Sequence, residues 1–160
     1  FVVSHSLTPD FAPSGQDDIR FLFAANKNSE PSDIAKVASG GEMSRLMLSI
    51  KSLLSKSTAL PTIIFDEIDT GVSGEVADKM GSIMTEMAQN MQVIAITHLP
   101  QVAAKGNTHY KVFKHDIADR TISDITLLSN EQRIEELAKM LSGTHITDAA
   151  LQNAKELLGQ

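Results

Sequence analysis

Residues 61–74 read Pro-Thr-Ile-Ile-Phe-Asp-Glu-Ile-Asp-Thr-Gly-Val-Ser-Gly. Pro61 precedes a compact apolar run, Ile63, Ile64 and Phe65, that stops at Asp66. A run this short and this rich in β-branched residues is too brief for a helix and suits a buried parallel strand. Val93, Ile94, Ala95 and Ile96 make a second such run, which ends at Thr97 and His98. Between the two, Val76, Met80, Ile83, Met84 and Met87 recur at helical spacing over 75–90. Strand, helix, strand at this spacing predicts a βαβ crossover with its two strands parallel. In open α/β sheets ligands sit beyond the carboxyl ends of the strands. Here those ends carry Asp66 with Glu67, and Thr97 with His98, and adjacent parallel strands would set them side by side.

Working upstream, Met43, Leu46, Met47, Ile50, Leu53 and Leu54 fall at three- and four-residue steps and predict an amphipathic helix over 42–56. Ser39-Gly40-Gly41-Glu42 opens it. Residues 17–25, built on Ile19, Phe21, Leu22 and Phe23, read as a strand, and 26–33, with Asn, Ser and Pro, as a loop. The apolar opening Phe1-Val2-Val3 has no initiator methionine and is expected of a piece cut from a longer chain. Downstream, 109–114 and 121–128 predict an antiparallel pair around a turn at 115–120. Helices at 130–141 and 147–158, separated by Ser142 and Gly143, finish the chain. The expected architecture is α/β: a mainly parallel core sheet with flanking helices and an antiparallel edge pair, all in one domain over 1–160.

Composition bounds the function. A chain of 160 residues with 42% apolar and 21% charged residues is that of a globular domain. No apolar run approaches the roughly 20 residues that span a bilayer, so no membrane partner is expected. There is no cysteine, so neither a disulfide nor a thiolate metal site holds the fold, and an intracellular setting fits. A net charge of −6 argues against a surface given over to nucleic acid, because phosphate contacts come from Lys and Arg. Lys105, Lys111 and Lys114 come nearest to a basic stripe, but Asp116 and Asp119 follow them, as on a solvated face.

Three groups of residues carry chemistry. Adjacent carboxylates after an apolar strand, Asp66-Glu67, suit Mg²⁺-dependent nucleotide hydrolysis: one can hold a hard cation, the other can orient an attacking water. The same doublet could be an acidic helix start or a solvated turn. Ser39-Gly40-Gly41-Glu42 reads as a capping box, Ser39 accepting from the helix start and Glu42 reaching back. The paired glycines also leave backbone N–H groups open to a close ligand, and a helix N-terminus favours phosphate. His98 could be a hydrogen-bonded structural residue, or, level with the carboxylates, a contact to a terminal phosphate.

Together these residues resemble the ABC-type ATPases. Ala38-Ser39-Gly40-Gly41-Glu42 is similar to the signature loop, Ile63 to Glu67 to the Walker B strand with its catalytic glutamate, and Thr97-His98 to the switch histidine. Glu42, where transporters usually have Gln, favours the SMC-like branch. The runs 38–45 (ASGGEMSR), 65–74 (FDEIDTGVSG) and 96–104 (ITHLPQVAA) resemble bacterial DNA-repair members of that branch, as do 136–141 and 154–158. The resemblance implies the C-terminal half of a head domain, cytoplasmic and nucleoid-associated, acting on DNA. Two such heads sandwich ATP. By position, Asp66 would support Mg²⁺, Glu67 would polarise the attacking water and His98 would touch the γ-phosphate. Ser39, Gly40, Gly41 and Glu42 would meet the nucleotide of the opposite head, and Asp69 would fall in the loop crossing the dimer seam. Nothing in the chain matches G-x-x-x-x-G-K-[ST]. The P-loop and a coiled coil are therefore expected from an N-terminal half, and the chain alone is expected not to turn ATP over.

Other readings stand beside this one. Asp69-Thr70-Gly71 matches the triplet of aspartic proteases, but it occurs once, beside charges that would hinder a shared proton. Asp66, His98, His109 and His115 could assemble a metallohydrolase, though without a recognised ligand spacing. A head fragment of another SMC-like or ABC protein, or a non-catalytic docking module, completes the set.

Overall fold

The computed structural model describes residues 1–24, 28–34, 40–55, 60–117, 120–143 and 145–160. They form two compact units, Phe1–Met47 and Leu48–Gln160.

In the first unit β1 (Val2–Ala12), β2 (Gly15–Phe23) and β3 (Ser32–Asp33) make an antiparallel sheet in that order. The β1–β2 register runs from Val2 opposite Leu22 to Leu7 opposite Asp17, then shifts before Ala12 meets Gly15. Gly15 takes a φ of 98°, the left-handed turn conformation that glycine adopts without strain. Sequence patterning announces β2 but not β1. Pro9 and the polar Ser4, His5, Ser6, Thr8 and Asp10 break any two-residue period, and β1 tolerates them because it is an edge strand. The helix α1 (Gly40–Ser55) carries the boundary between the units and matches the predicted amphipathic stretch. Lys56, the last residue predicted for it, lies outside the described residues.

The second unit is built on the predicted crossover. β4 (Thr62–Asp66), α2 (Gly74–Met87) and β5 (Gln92–Ile96) follow one another, and the strands pair in parallel from Thr62 opposite Gln92 to Asp66 opposite Ile96. A five-residue helix, α3 (Pro100–Ala104), comes next, with Pro100 at its start, where the missing N–H costs nothing. β6 (Tyr110–Ile117) and β7 (Arg120–Leu127) form the antiparallel pair, from Tyr110 opposite Leu127 to Ile117 opposite Arg120, and 118–119 of the predicted turn lie outside the described residues. Asn130–Ser142 (α4) begins at a capping box made by Ser129 and Gln132, and Asp148–Leu157 (α5) begins at Thr147, whose hydroxyl accepts from the Ala150 N–H. Parallel pairing among the described strands is thus confined to β4 and β5.

The core of this unit is a methionine-rich cluster. Met80, Met84, Met87 and Met91 are buried with Leu48, Phe65, Val72, Ala77 and Val102, and Ile63 and Val93 pack against them. A second cluster joins α3, α4 and α5 through Ala104, Leu137, Ala138, Ala150 and Ala154, where small side chains allow close helix approach. The strands themselves correct the expectation of burial on both faces. Ile63, Phe65 and Val93 turn to the core, whereas Ile64, Ile94 and Ile96 remain exposed at 61%, 41% and 53%. The alternation of a strand puts every second residue on the other face, and no apolar cluster among the described residues takes these three in.

Candidate nucleotide-hydrolysis site

Because Asp66 is level with Ile96, the chain leaves β4 as Asp66-Glu67 and leaves β5 as Thr97-His98 from the same end of the pair. Asp66, Glu67 and His98 are all exposed there. Glu67 turns the chain sharply: its φ is 50°, unusual for a residue with a β-carbon. Its carbonyl accepts from the Thr70 N–H at 3.3 Å and the Thr70 hydroxyl at 2.9 Å, and the Asp69 carbonyl accepts from Val72 N–H at 3.1 Å. Gly71, with a φ of 72°, completes the tight loop. Non-glycine residues persist in the left-handed region where surrounding bonds over-determine them, and such positions concentrate at functional sites.

The loop folds back on the end of β5. Asp69 is fully buried, its Oδ2 accepts from the Thr97 hydroxyl, and its Oδ1 lies 3.7 Å from His98 Nδ1. Thr97 Oγ1 in turn accepts from the Leu99 N–H at 3.0 Å. Asp69, assigned by resemblance to a loop crossing a dimer seam, thus has a structural partner inside its own unit. Sequence reasoning missed that role: Thr97 lies far along the chain, and an acidic residue between Ile68 and Thr70 gives no sign of burial.

Gly40, Gly41 and Glu42 form the first turn of α1 as described, with Gly40 exposed and the other two half-buried. Space for a β-carbon at Gly40 is open. Ser39 lies outside the described residues. These residues belong to the first unit and the carboxylates to the second.

The donors suit a hard cation held jointly with phosphates. Among the described residues no cluster of three or more His, Asp or Glu side chains could hold a metal by itself, whereas Mg²⁺ is usually bound through one or two carboxylates plus substrate phosphates. Asp66 and Glu67 supply such oxygens. The same finding removes the metallohydrolase set Asp66, His98, His109 and His115, since His109 instead lies beside Arg133 at 3.4 Å and His115 beside Asp124 at 3.6 Å. Burial of Asp69 likewise denies it the water a protease aspartate must activate. Of the lysines weighed as a basic stripe, Lys105 pairs with Asp78 at 2.9 Å and Lys111 with Glu136. No described helix is long and apolar enough to cross a membrane.

Comparison with known proteins gives a consistent picture. No family model matches the chain. It is 48% identical over 145 residues to the DNA repair protein RecN of Rickettsia felis, covering 91% of this chain and 27% of that protein. With the DNA repair protein RecN of Haemophilus influenzae it shares 41% over 145 residues, covering 91% of this chain and 26% of that relative. Among solved structures, the Smc head domain with a coiled coil and joint from Pyrococcus yayanosii superposes with a TM-score of 0.64 at 22% identity, covering 88% of this chain and 26% of that one. A chain described with the ATP-driven dimerization and DNA-stimulated activation of SMC ATPases gives a TM-score of 0.58 at 19% identity, covering 89% of this chain and 84% of that one. The fold is that of an SMC ATPase head. The chain belongs to the RecN family, as a segment amounting to about a quarter of the length of the curated relatives it matches.

Proposed function

We propose that this chain is the C-terminal half of an SMC-like ATPase head acting in DNA double-strand-break repair, with ATP and Mg²⁺ bound between two heads. The observation that carries the reading is the convergence of Asp66-Glu67 and Thr97-His98 at one end of a parallel strand pair. Mg²⁺, when bound, would supply neutralisation of phosphate charge. Asp66 offers it a carboxylate, directly or through water. Glu67 orients the attacking water and takes its proton, and its exposed place in a tight turn suits access by both. His98 faces the γ-phosphate. Ser39, together with Gly40, Gly41 and Glu42 of the first turn of α1, meets the phosphate of the opposite head's nucleotide, where helix N–H groups favour an anion. The P-loop comes from the N-terminal half of the same protein, a second head completes the sandwich, and DNA is the partner of the whole assembly.

The test is to co-express this segment with the N-terminal P-loop half, or to use the intact protein, and follow ATP turnover. Glu67→Gln is expected to lower turnover by about 10²–10⁴-fold, the usual worth of a general base, while a nucleotide-bound dimer accumulates in size-exclusion chromatography. The segment alone is expected to show no turnover. Glu67-dependent hydrolysis by the isolated segment would overturn the two-half, two-head reading.

A further inference from the structure

The buried carboxylate of Asp69 has one oxygen engaged and one idle. Oδ2 accepts from Thr97, while Oδ1 has no hydrogen-bond partner among the described residues although it is fully enclosed. A polar oxygen left unpaired in a protein interior is costly, so such groups are normally satisfied. His98 Nδ1 lies 3.7 Å from it, just beyond hydrogen-bond reach. The two partners differ in freedom. Asp69 is clamped by Thr97 and by the turn that its own carbonyl closes with Val72, and Thr97 is itself held by the Leu99 N–H. The His98 side chain is 70% exposed and can rotate toward the carboxylate.

We propose that Asp69 is a positioning residue for His98: Asp69 Oδ1 accepts from His98 Nδ1–H and aims the ring so that Nε2 points out of the strand end toward the reacting phosphate. This rests on the reading of His98 as a phosphate contact. With Nδ1 committed as the donor, Nε2 accepts from water while the ring is neutral and donates to a phosphate oxygen when the ring is protonated, the carboxylate then balancing the charge. In both cases the orientation comes from Asp69. The loop that carries Glu67 therefore also orients His98, since Glu67 and Asp69 belong to one hydrogen-bonded turn.

The tautomer of His98 is the first readout. In the chain labelled with ¹⁵N-histidine, long-range proton–nitrogen correlations at a pH where the ring is neutral are expected to show Nδ1–H. Asp69→Ala is expected to return His98 to the Nε2–H form that an unconstrained imidazole prefers. A wild-type ring already in the Nε2–H form overturns the proposal, whatever the variant does. The second readout is turnover in the intact ATPase. Asp69→Asn is expected to lower kcat on the order of 10-fold, as loss of the partner that orients a working histidine does elsewhere, with KM for ATP unchanged. Adding it to His98→Ala is expected to cost nothing further, because both act through one ring. Losses that multiply in the double variant overturn the proposal. If His98→Ala alone leaves turnover intact, the phosphate-contact reading is what fails, and the tautomer decides the Asp69–His98 pairing by itself.

Discussion

Glu67 follows β4 with a φ of 50°, where a β-carbon presses on the backbone at a cost of about 1–2 kcal/mol. Any other non-glycine residue there bears the same strain without offering a carboxylate. Replacement by glycine should therefore give a chain more stable than replacement by alanine, by about 1 kcal/mol in urea unfolding, although both lose the acid. Equal stability of the two variants would show that the turn is not strained. His109 makes a different kind of residue-scale demand. Burial, and then the nearby charge of Arg133, hold its imidazole below the ordinary 6.5. A value depressed in the folded state means that the folded chain prefers the neutral ring, so the stability it contributes is complete above 6.5 and is lost as pH falls through the lower folded value. The urea midpoint should drop over that acidic window, and His109→Gln should flatten that part of the profile. An unchanged slope would mean that His109 does not drive it. At this scale the placing of Asp66, Glu67 and His98 at strand ends was legible because each stands within two residues of the end of an apolar run. The bond from Asp69 to Thr97 was not, because it depends on how two loops meet.

Among the elements, α2 approaches the α3 region closely at Gly81. A β-carbon on Gly81 would stand 2.8 Å from Lys105 Cγ, 3.3 Å from the Gln101 carbonyl and 3.4 Å from Val102 Cα. Alanine would gain helix propensity of about 1 kcal/mol but must push backbone aside, so Gly81→Ala should destabilise the chain by about 1 kcal/mol net. A more stable variant in urea unfolding would count against that packing. Sequence periodicity recovered α1, α2, β4 and β5 because each carries a regular apolar stripe or run, buried in α2 at Met80, Met84 and Met87 but largely exposed in α1 at Met47, Ile50, Leu53 and Leu54. Two elements escaped it for physical reasons. α3 is too short to show a period, its one signal being Pro100 at the start. β1 has no buried face to write a pattern: Val2, Val3, Leu7 and Phe11 are all exposed.

For the whole molecule, exposed apolar surface is the dominant fact. In the first unit Phe1, Leu7, Phe11, Ile19 and Phe21 face solvent, and in the second Ile64, Ile94 and Ile96 do. Parallel strands ordinarily have both faces covered, and surface of this kind invites association. The isolated segment should bind an apolar dye and self-associate, and co-expression with the N-terminal half should abolish both. A clean monomer that ignores the dye in analytical ultracentrifugation and fluorescence would contradict this. The α/β class and the single parallel pair were readable from two apolar runs. Which face of that pair is covered was not, because an unbroken apolar run does not distinguish Ile63 and Phe65, turned to the core, from the exposed Ile64.

The methionine-lined core has a chemical side as well as a packing one. Met80, Met84, Met87 and Met91 are 3%, 5%, 1% and 8% exposed, so folding shields four thioethers from peroxide. Each local opening exposes a sulfur whose oxidation makes it polar and chiral, and the modified side chain no longer fits the apolar space it left. Oxidant would then act as a ratchet: brief fluctuations become lasting damage, at a rate set by how often this core opens.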